Sequence, residues 1–370
     1  MKKVFSVICL CFLVSAAFAE SPFKFAVLES LKYDDNIYLT EKDKKSSAIS
    51  STQLFVDYLS QIPNSSLKVG LGANVGYNAY TEDPSKNNYI NAGLKGFLEN
   101  QYFKLSEGFI YTSEQATNEL TERTDRISNN IALSVRTSRE KTFSVGLVAS
   151  DVLDRYMKYS KSALNRNRFN IGAQVFYNLS ARTSIFVEDV VSAIHYEKNT
   201  YNDSTQNSLA LGVEGNITEK IKGTAKISYD YRDYKKDNTD KANLLGYLVS
   251  LTYKPMETNS FSLIGRRAYE ETTYINNRYY VSTAVNLFAA QKLSQRFDVS
   301  LLLSYENMNY PNKIDNDFRV DDFYAVKPAV NYKFMDCLTA GLWYKFKTKH
   351  SNMVSDYTDN TVGLDIKVTF

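Results

Sequence analysis

The residues best suited to acid–base or metal chemistry in this sequence are few and far apart. His195 and His350 are its two histidines, and of three cysteines only Cys337 lies outside the first nineteen residues. Serine or aspartate paired with histidine can drive hydrolysis, but neither histidine stands in a recognisable catalytic context. One cysteine and two distant histidines also cannot supply the clustered ligands that zinc or another transition metal requires. We therefore expect no catalytic residue, no metal site and no cofactor.

An acidic run near the start, Asp34-Asp35-Asn36, contains the oxygen ligands that calcium prefers. No glycine or glutamate follows at the spacing of a helix–loop–helix calcium motif. The favoured interpretation is therefore an ordinary polar segment of a strand.

The first nineteen residues form an export signal by their pattern. Lys2 and Lys3 precede an apolar core, and Ala17-Phe18-Ala19 is a small-x-small cleavage site. No later stretch approaches the ~20 apolar residues that a membrane-spanning helix needs. The mature chain, residues 20–370, shows no linker and no shift in composition, so we expect a single domain. Its basic and acidic residues nearly balance, which argues against nucleic acid as a partner.

The elements that must position any functional residue are strands, because apolar and polar residues alternate from residue 65 to the end. In Leu67–Tyr80 the odd positions are mainly apolar, whereas lysine, glycine and asparagine fill most even positions. Ile221–Arg232 repeats the pattern. Each stretch runs for about ten residues, enough for a tilted strand to cross a membrane, whereas strands of soluble proteins usually have about five or six. Because lipid requires every backbone polar group to pair internally, the pattern predicts an all-β transmembrane barrel.

The breaks between strands are alternately short and long. Short turns such as Pro63-Asn64 alternate with longer polar stretches such as Glu270–Asn277 and Met308–Asn316. Nine long loops and eight short turns predict an antiparallel up-and-down barrel of about eighteen strands, with sixteen as the alternative and with both termini in the periplasm. The alternation is weakest in the opening hairpin, Lys24–Ser60, and in Asp151–Tyr159, where a local helix is the alternative.

Functional residues are expected on the inner face, because a barrel of this size is too wide for side chains to fill. Basic residues predominate among the charges that alternation places there. The predicted pore-lining residues are Lys68, Lys95, Arg136, Lys222, Lys226, Arg232, Lys327, Lys333, Lys345 and Lys367, against Glu214, Asp230, Asp298, Glu306 and Asp365. Excess positive charge on a low-dielectric wall favours anions. The alternative is a lumen of paired charges without selectivity.

The last strand alternates up to the final residue, with Val368 and Phe370 on its apolar face. This ending resembles the C-terminal signature of bacterial outer-membrane barrels, in which a terminal aromatic closes the strand that the assembly machinery recognises. Val368 stands where that signature usually has a second aromatic. The resemblance implies that Val368 and Phe370 form the assembly signal.

The start of the mature chain, Leu31-Lys-Tyr33-Asp34-Asp35-Asn36-Ile37-Tyr38, resembles the opening of the beta-barrel porin 2 group of outer-membrane proteins. That resemblance implies a barrel without an assigned activity, in a group that has many members linked to exopolysaccharide production. It brings no catalytic residues.

These observations predict a porin-like outer-membrane channel for the passive passage of small solutes, oligosaccharide or polysaccharide, with weak anion preference and a link to exopolysaccharide export. The expected partners are outer-membrane lipid, the barrel-assembly machinery, and polysaccharide or small anions. One alternative is a non-conducting structural barrel whose outer loops make surface contacts. A second is an outer-membrane hydrolase that depends on His195 and His350.

Overall fold

The computed structural model describes residues 22–114, 123–235, 241–272, 277–314 and 317–370. The export signal predicted over residues 1–19 lies outside them. None of the helices in the described residues is long and apolar enough to cross a membrane.

Eighteen strands make up the sheet. The first nine are β1 (Phe23–Asp34), β2 (Ser47–Gln61), β3 (Lys68–Tyr80), β4 (Tyr89–Glu99), β5 (Phe103–Glu114), β6 (Thr124–Arg136), β7 (Phe143–Tyr156), β8 (Arg166–Ser180) and β9 (Thr183–Tyr196). The others are β10 (Ser204–Asn216), β11 (Ile221–Tyr234), β12 (Lys241–Met256), β13 (Asn259–Glu271), β14 (Tyr279–Lys292), β15 (Phe297–Ile314), β16 (Asp317–Met335), β17 (Leu338–Ser351) and β18 (Tyr357–Thr369). A helical turn α1 (Pro84–Asn87) and two short 3₁₀ helices, Tyr159–Leu164 and Thr200–Asn202, lie in the connections.

Each strand pairs antiparallel with its neighbour along the chain, and β1 also pairs with β18, which closes the sheet. The predicted eighteen-stranded up-and-down barrel is therefore confirmed, and the alternative of sixteen strands is wrong. The N–H groups of Phe25 and Phe370 each donate to the other's carbonyl, at 3.2 and 2.8 Å. Both ends of the sheet thus lie at the rim of short turns, which faces the periplasm in barrels of this kind.

Alternation gives the wall its two faces. In β3 the side chains of Leu71, Val75 and Tyr77 are 57%, 45% and 47% exposed, whereas Gly72 and Gly76 between them are buried. Exposed apolar residues in every second position suit contact with hydrocarbon, and the intervening residues face the lumen.

The structure also decides three segments in which alternation is weak or a loop was predicted. The opening hairpin is regular, since β1 and β2 pair from Phe23 with Tyr58 to Asp34 with Ser47. β7 continues to Tyr156, so most of Asp151–Tyr159 is strand rather than helix. The loop predicted over Met308–Asn316 is wrong as far as Ile314, because β15 runs on to that residue, and residues 315–316 lie outside the described part of the chain.

Candidate functional site: the lumen

Strand register places all fifteen predicted pore-lining residues on the side of the sheet opposite to the exposed apolar residues. Their role in a pore stays a prediction. The charges of the lumen fall into separate groups from its periplasmic end outward.

Near the periplasmic end, the Arg136 guanidinium on β6 contacts the Glu214 carboxylate on β10, although three strands lie between them. Arg136 Nη2 also donates to Asn178 Oδ1 at 2.7 Å and to Ser184 Oγ at 2.8 Å. Arg139, in the adjoining turn, lies 3.2 Å from Glu214. These contacts link β6 to β10 across the inner face of the wall.

Farther along the same wall, Lys226 is paired rather than free. Its ammonium reaches across β10 to Glu188 Oε1 on β9, at 2.5 Å, and Gln174 Nε2 donates to the other carboxylate oxygen at 2.6 Å. Asp230 on the same strand is 5% exposed and accepts a hydrogen bond from Ser228 at 3.1 Å. Acidic residues outside the predicted set thus neutralise part of the expected positive charge.

The other predicted residues have local partners or lie near a rim. Two lysines form ion pairs: Lys95 with Asp57 at 2.9 Å and Lys333 with Asp336 at 2.6 Å. Two acids accept hydrogen bonds: Asp298 from Asn331 at 2.9 Å and Glu306 from Ser282 at 2.5 Å. Lys68 and Lys222 are exposed near the periplasmic end.

In the outer half of the barrel, the sheet divides between β12 and β13. Their ladder ends at Tyr247 opposite Arg267, but the β13–β14 ladder continues to Glu271 opposite Tyr279. Among the described residues, residues 241–246 of β12 therefore pair with β11 alone. We call residues 268–271 and 279–281, beyond the division, the inward hairpin.

The inward hairpin lies inside the lumen. Tyr269 packs against Ala242 and Leu244, which are on the lumen-facing side of β12, and Tyr279 and Val281 pack against the same group. By register, all three hairpin residues would face lipid if the hairpin continued the wall. Their contact with inner-face residues shows that the hairpin has folded across the inside of β12.

Glu271 fixes the tip of this hairpin in place. Its carboxylate accepts hydrogen bonds from Arg232 Nη1 at 2.7 Å and from Tyr196 Oη at 2.6 Å. Arg168 Nη2 on β8 lies 3.7 Å away. The side chains of Arg232 and Glu271 are each 1% exposed, so the pair is removed from solvent. Side chains of β8, β9 and β11 thus converge on one hairpin residue.

The same outer zone carries further pairs toward β5. Asp154 on β7 accepts from Arg126 and Arg166, each at 3.1 Å, and Arg126 Nε lies 2.8 Å from Glu114. Together with Glu271 and its partners these residues form the outer ion-pair network. Of the whole network, sequence analysis identified Arg232 alone. Alternation could have found three more members. Arg126, Asp154 and Arg166 occupy even positions on the inner face of their strands, as the predicted residues Arg136 and Arg232 do.

Four lysines line the opposite part of the wall, of which Lys32, Lys327 and Lys345 are half-buried and Lys367 is exposed. We call Lys32, Lys327, Lys345 and Lys367, on β1, β16, β17 and β18, the lysine wall. Lys32 and Lys345 are each close enough to Lys327 for electrostatic repulsion. Positive charge is therefore concentrated on these strands.

The single tryptophan of the chain lies beside the lysine wall. Trp343 Nε1 donates to Asp365 Oδ2 at 3.0 Å, and Lys327 Nζ lies 4.3 Å from the centre of its ring. Gly363, directly opposite on β18, makes this possible, because a Cβ there would lie 2.3 Å from the indole atom Cζ2. The inner wall thus presents an aromatic ring between a cation and a carboxylate.

The two histidines lie at the outer rim in matching arrangements. His195 Nδ1 lies 2.8 Å from Asp203, and the N–H of Tyr196 donates to the same carboxylate at 2.8 Å. His350 Nδ1 lies 3.0 Å from Asp356, which also accepts from the N–H of Ser351 at 2.8 Å. Each histidine therefore helps to hold a loop aspartate against the end of a strand.

The crystal structure of OccK1 (OpdK) from Pseudomonas aeruginosa is similar to this barrel, with a TM-score of 0.54, 10% identity, and coverage of 94% of this chain and 99% of that chain. OpdK with vanillate, from the same organism, gives 0.53 at 9% identity, with coverage of 94% and 99%. OccK9 (OpdG), also from P. aeruginosa, gives 0.51 at 10% identity, with coverage of 94% and 98%. At such identities the likeness concerns the fold.

No curated protein matches this sequence. The model of the family described as "Putative beta-barrel porin 2" matches residues 23–370. The family is one of porins, so the expectation that the chain is not an enzyme is confirmed, and the hydrolase alternative is wrong. The chain belongs to the "Putative beta-barrel porin 2" family and is a porin-like channel protein of the outer membrane.

Proposed function

We propose that the protein is a passive channel with weak preference for anions, and that its solutes include small organic acids and acidic oligosaccharides such as those of an exopolysaccharide pathway. The observation that carries this proposal is the lysine wall. Lys327 and Lys345 repel each other, and Asp365 beside them is already engaged by Ser30 and Trp343. An uneven distribution of fixed charge sets the preference of a pore even when most other charges are paired.

Trp343 supports a sugar-containing solute. An aromatic ring offers an apolar face to a pyranose, and the neighbouring Lys327 ammonium, 4.3 Å from the ring centre, would attract a carboxylate on the same solute. The OpdK barrel, which shares the fold, has been crystallised with vanillate, an organic anion. Both observations favour solutes that combine a ring with a negative charge.

Planar-bilayer recordings of the refolded protein under a salt gradient test the proposal. The reversal potential is expected to have the sign of anion preference, and its size should fall as ionic strength rises, because salt screens the wall charges. A reversal potential of the opposite sign would overturn the anion preference.

A non-conducting structural barrel is the second candidate, because the inward hairpin and its buried Arg232–Glu271 pair occupy part of the lumen. In this alternative the outer loops provide the function by surface contacts. Bilayers that show no conductance steps, despite correctly folded protein, would favour it over the channel.

We also propose that the barrel-assembly machinery recognises β18 through Val368 and Phe370. Phe370 pairs with Phe25 of β1, so the residue at the end of the chain also completes the closure. Exchange of Phe370 for serine should slow assembly into membranes that contain the machinery, and equal assembly rates for the two proteins would contradict this role.

A further inference from the structure

The seam between the first and last strands brings three carboxylates together at the outer end of the barrel. Asp34 is the last residue of β1, Asp35 follows it, and Asp359 lies near the start of β18. One carboxylate oxygen of each lies within 4.8 Å of the others. Only barrel closure joins them, since Asp359 comes from the other end of the chain.

Asp359 shows that these carboxylates are incompletely satisfied. Its side chain is 1% exposed, and Oδ2 lies 2.7 Å from Lys347 Nζ. Oδ1 is buried and has no hydrogen-bond donor among the described residues. A buried carboxylate oxygen without a donor is costly. The orphaned atom therefore points to a ligand that carries positive charge.

The two partner carboxylates are held in position. Asp34 is 9% exposed and accepts a hydrogen bond from the N–H of Asn36 at 2.9 Å. Asp35 accepts from the backbone N–H and the side-chain amide of Asn360, each at 2.7 Å. A carboxylate oxygen that accepts one hydrogen bond keeps a second lone pair, so both residues can still serve as ligands.

The charge of the group identifies the kind of ligand. Within the described residues, Lys347 is the one cation that lies within 4.0 Å of any of the three carboxylates, so two of them have no cation in contact. Lys32 and Lys345 also act on the group electrostatically, from farther away on the same face. Oxygen ligands from flexible carboxylates suit Ca²⁺, whereas transition metals prefer nitrogen or sulfur. We propose that Asp34, Asp35 and Asp359 bind one Ca²⁺ ion that links the first strand of the barrel to the last.

Calcium titration of the full mature chain, refolded in detergent and stripped with a chelator, tests the site. Wild type is expected to bind one Ca²⁺ per chain. Asp359→Asn and Asp34→Asn should each weaken binding by about 10-fold or more, because each removes a charged ligand and the number of charged ligands sets Ca²⁺ affinity. Glu41→Gln, which changes an exposed acid in the neighbouring loop, should leave the affinity unchanged.

A second measurement records whether the ion closes the seam. Calcium should raise the temperature at which wild type and Glu41→Gln lose their folded form on SDS gels, with no such rise for Asp359→Asn. The folded band also verifies that each variant has formed a barrel. Wild type that binds no Ca²⁺, or Asp359→Asn that binds as tightly as wild type, would overturn the proposal and leave a proton shared between Asp34 and Asp359 as the explanation. Neither readout depends on conductance, so the site and the channel function can fail separately.

Discussion

Arg232 donates to Glu271 at 2.7 Å although β12 lies between their strands in the sheet. The contact exists because the β13–β14 hairpin has left the wall and lies inside β12. A buried ion pair is strongly destabilised when one partner is removed, because the other charge stays buried and unpaired. This relationship therefore couples the position of the hairpin to a single carboxylate.

Glu271→Gln should release the inward hairpin and raise single-channel conductance, because Arg232 then loses its ionised partner. Loss of the charge should also lower stability, by about 3 kcal/mol or more, which unfolding in urea would measure. Glu270→Gln is the matched control, since the neighbouring Glu270 contacts Arg266 and is only partly buried. Equal conductance in the two variants would show that the hairpin does not constrict the pore.

Lys327→Glu and Lys345→Glu should each move the reversal potential toward cation preference, because both reverse a charge on the lysine wall. Lys333→Glu, on the same strand as Lys327 but paired with Asp336 at the periplasmic rim, should change it less. The ordering of the three shifts is the measurement that matters. A larger effect at Lys333 would mean that the rim, rather than the lysine wall, determines selectivity.

Gly363→Ala should displace the indole of Trp343, because the new Cβ would lie 2.3 Å from the ring. The hydrogen bond to Asp365 would be lost, and the emission of this single tryptophan should shift. Gly108→Ala is the control, since nothing lies within 4 Å of a Cβ at that position. An unchanged spectrum for Gly363→Ala would contradict the described packing of the ring.

Hydrogen bonds from His350 and from the N–H of Ser351 hold the pKa of Asp356 below its ordinary value in the β17–β18 loop. A carboxylate with a depressed pKa in the folded protein stabilises it above the unfolded pKa and loses that contribution as the pH falls through the folded value. His350→Ala should raise the pKa of Asp356 toward the ordinary value, so the loop should open at a higher pH. Amide exchange of Ser351 against pH would detect this, and identical profiles in the variant and wild type would contradict it.

Alternation predicted the barrel because lipid imposes the same two-residue period on every strand that crosses it. The prediction failed over most of Met308–Asn316, because Asn307 and Asn309 take outward-facing positions that are apolar earlier in the strand, although β15 continues to Ile314. A strand that extends beyond hydrocarbon has no need of an apolar outer face. Local polarity therefore marks the end of the membrane and not the end of the strand.

The inward hairpin could not be found by the same reasoning. Tyr269, Tyr279 and Val281 stand at positions that alternation assigns to the lipid face, and the stretch Glu270–Asn277 has the polarity of a loop. Nothing local therefore reveals that the β12–β13 ladder stops at Tyr247. Ladder length depends on contacts between distant segments. Glu271, the residue on which the outer ion-pair network converges, was missed for this reason, whereas the lysines on regular strands were placed on the inner face by alternation alone.

The early end of the β12–β13 ladder also limits how far the hydrocarbon layer can extend toward the outer end of the barrel. From Lys241 to Gly246, β12 has a ladder partner on one side only within the part of the chain that the structure describes. The other edge would carry unpaired N–H and C=O groups into lipid if it were submerged. Hydrocarbon tolerates no such edge. The hydrocarbon layer must therefore end at about the height of Tyr247 and Arg267. The outermost part of β12 lies among the hydrated headgroups and in the water outside the cell.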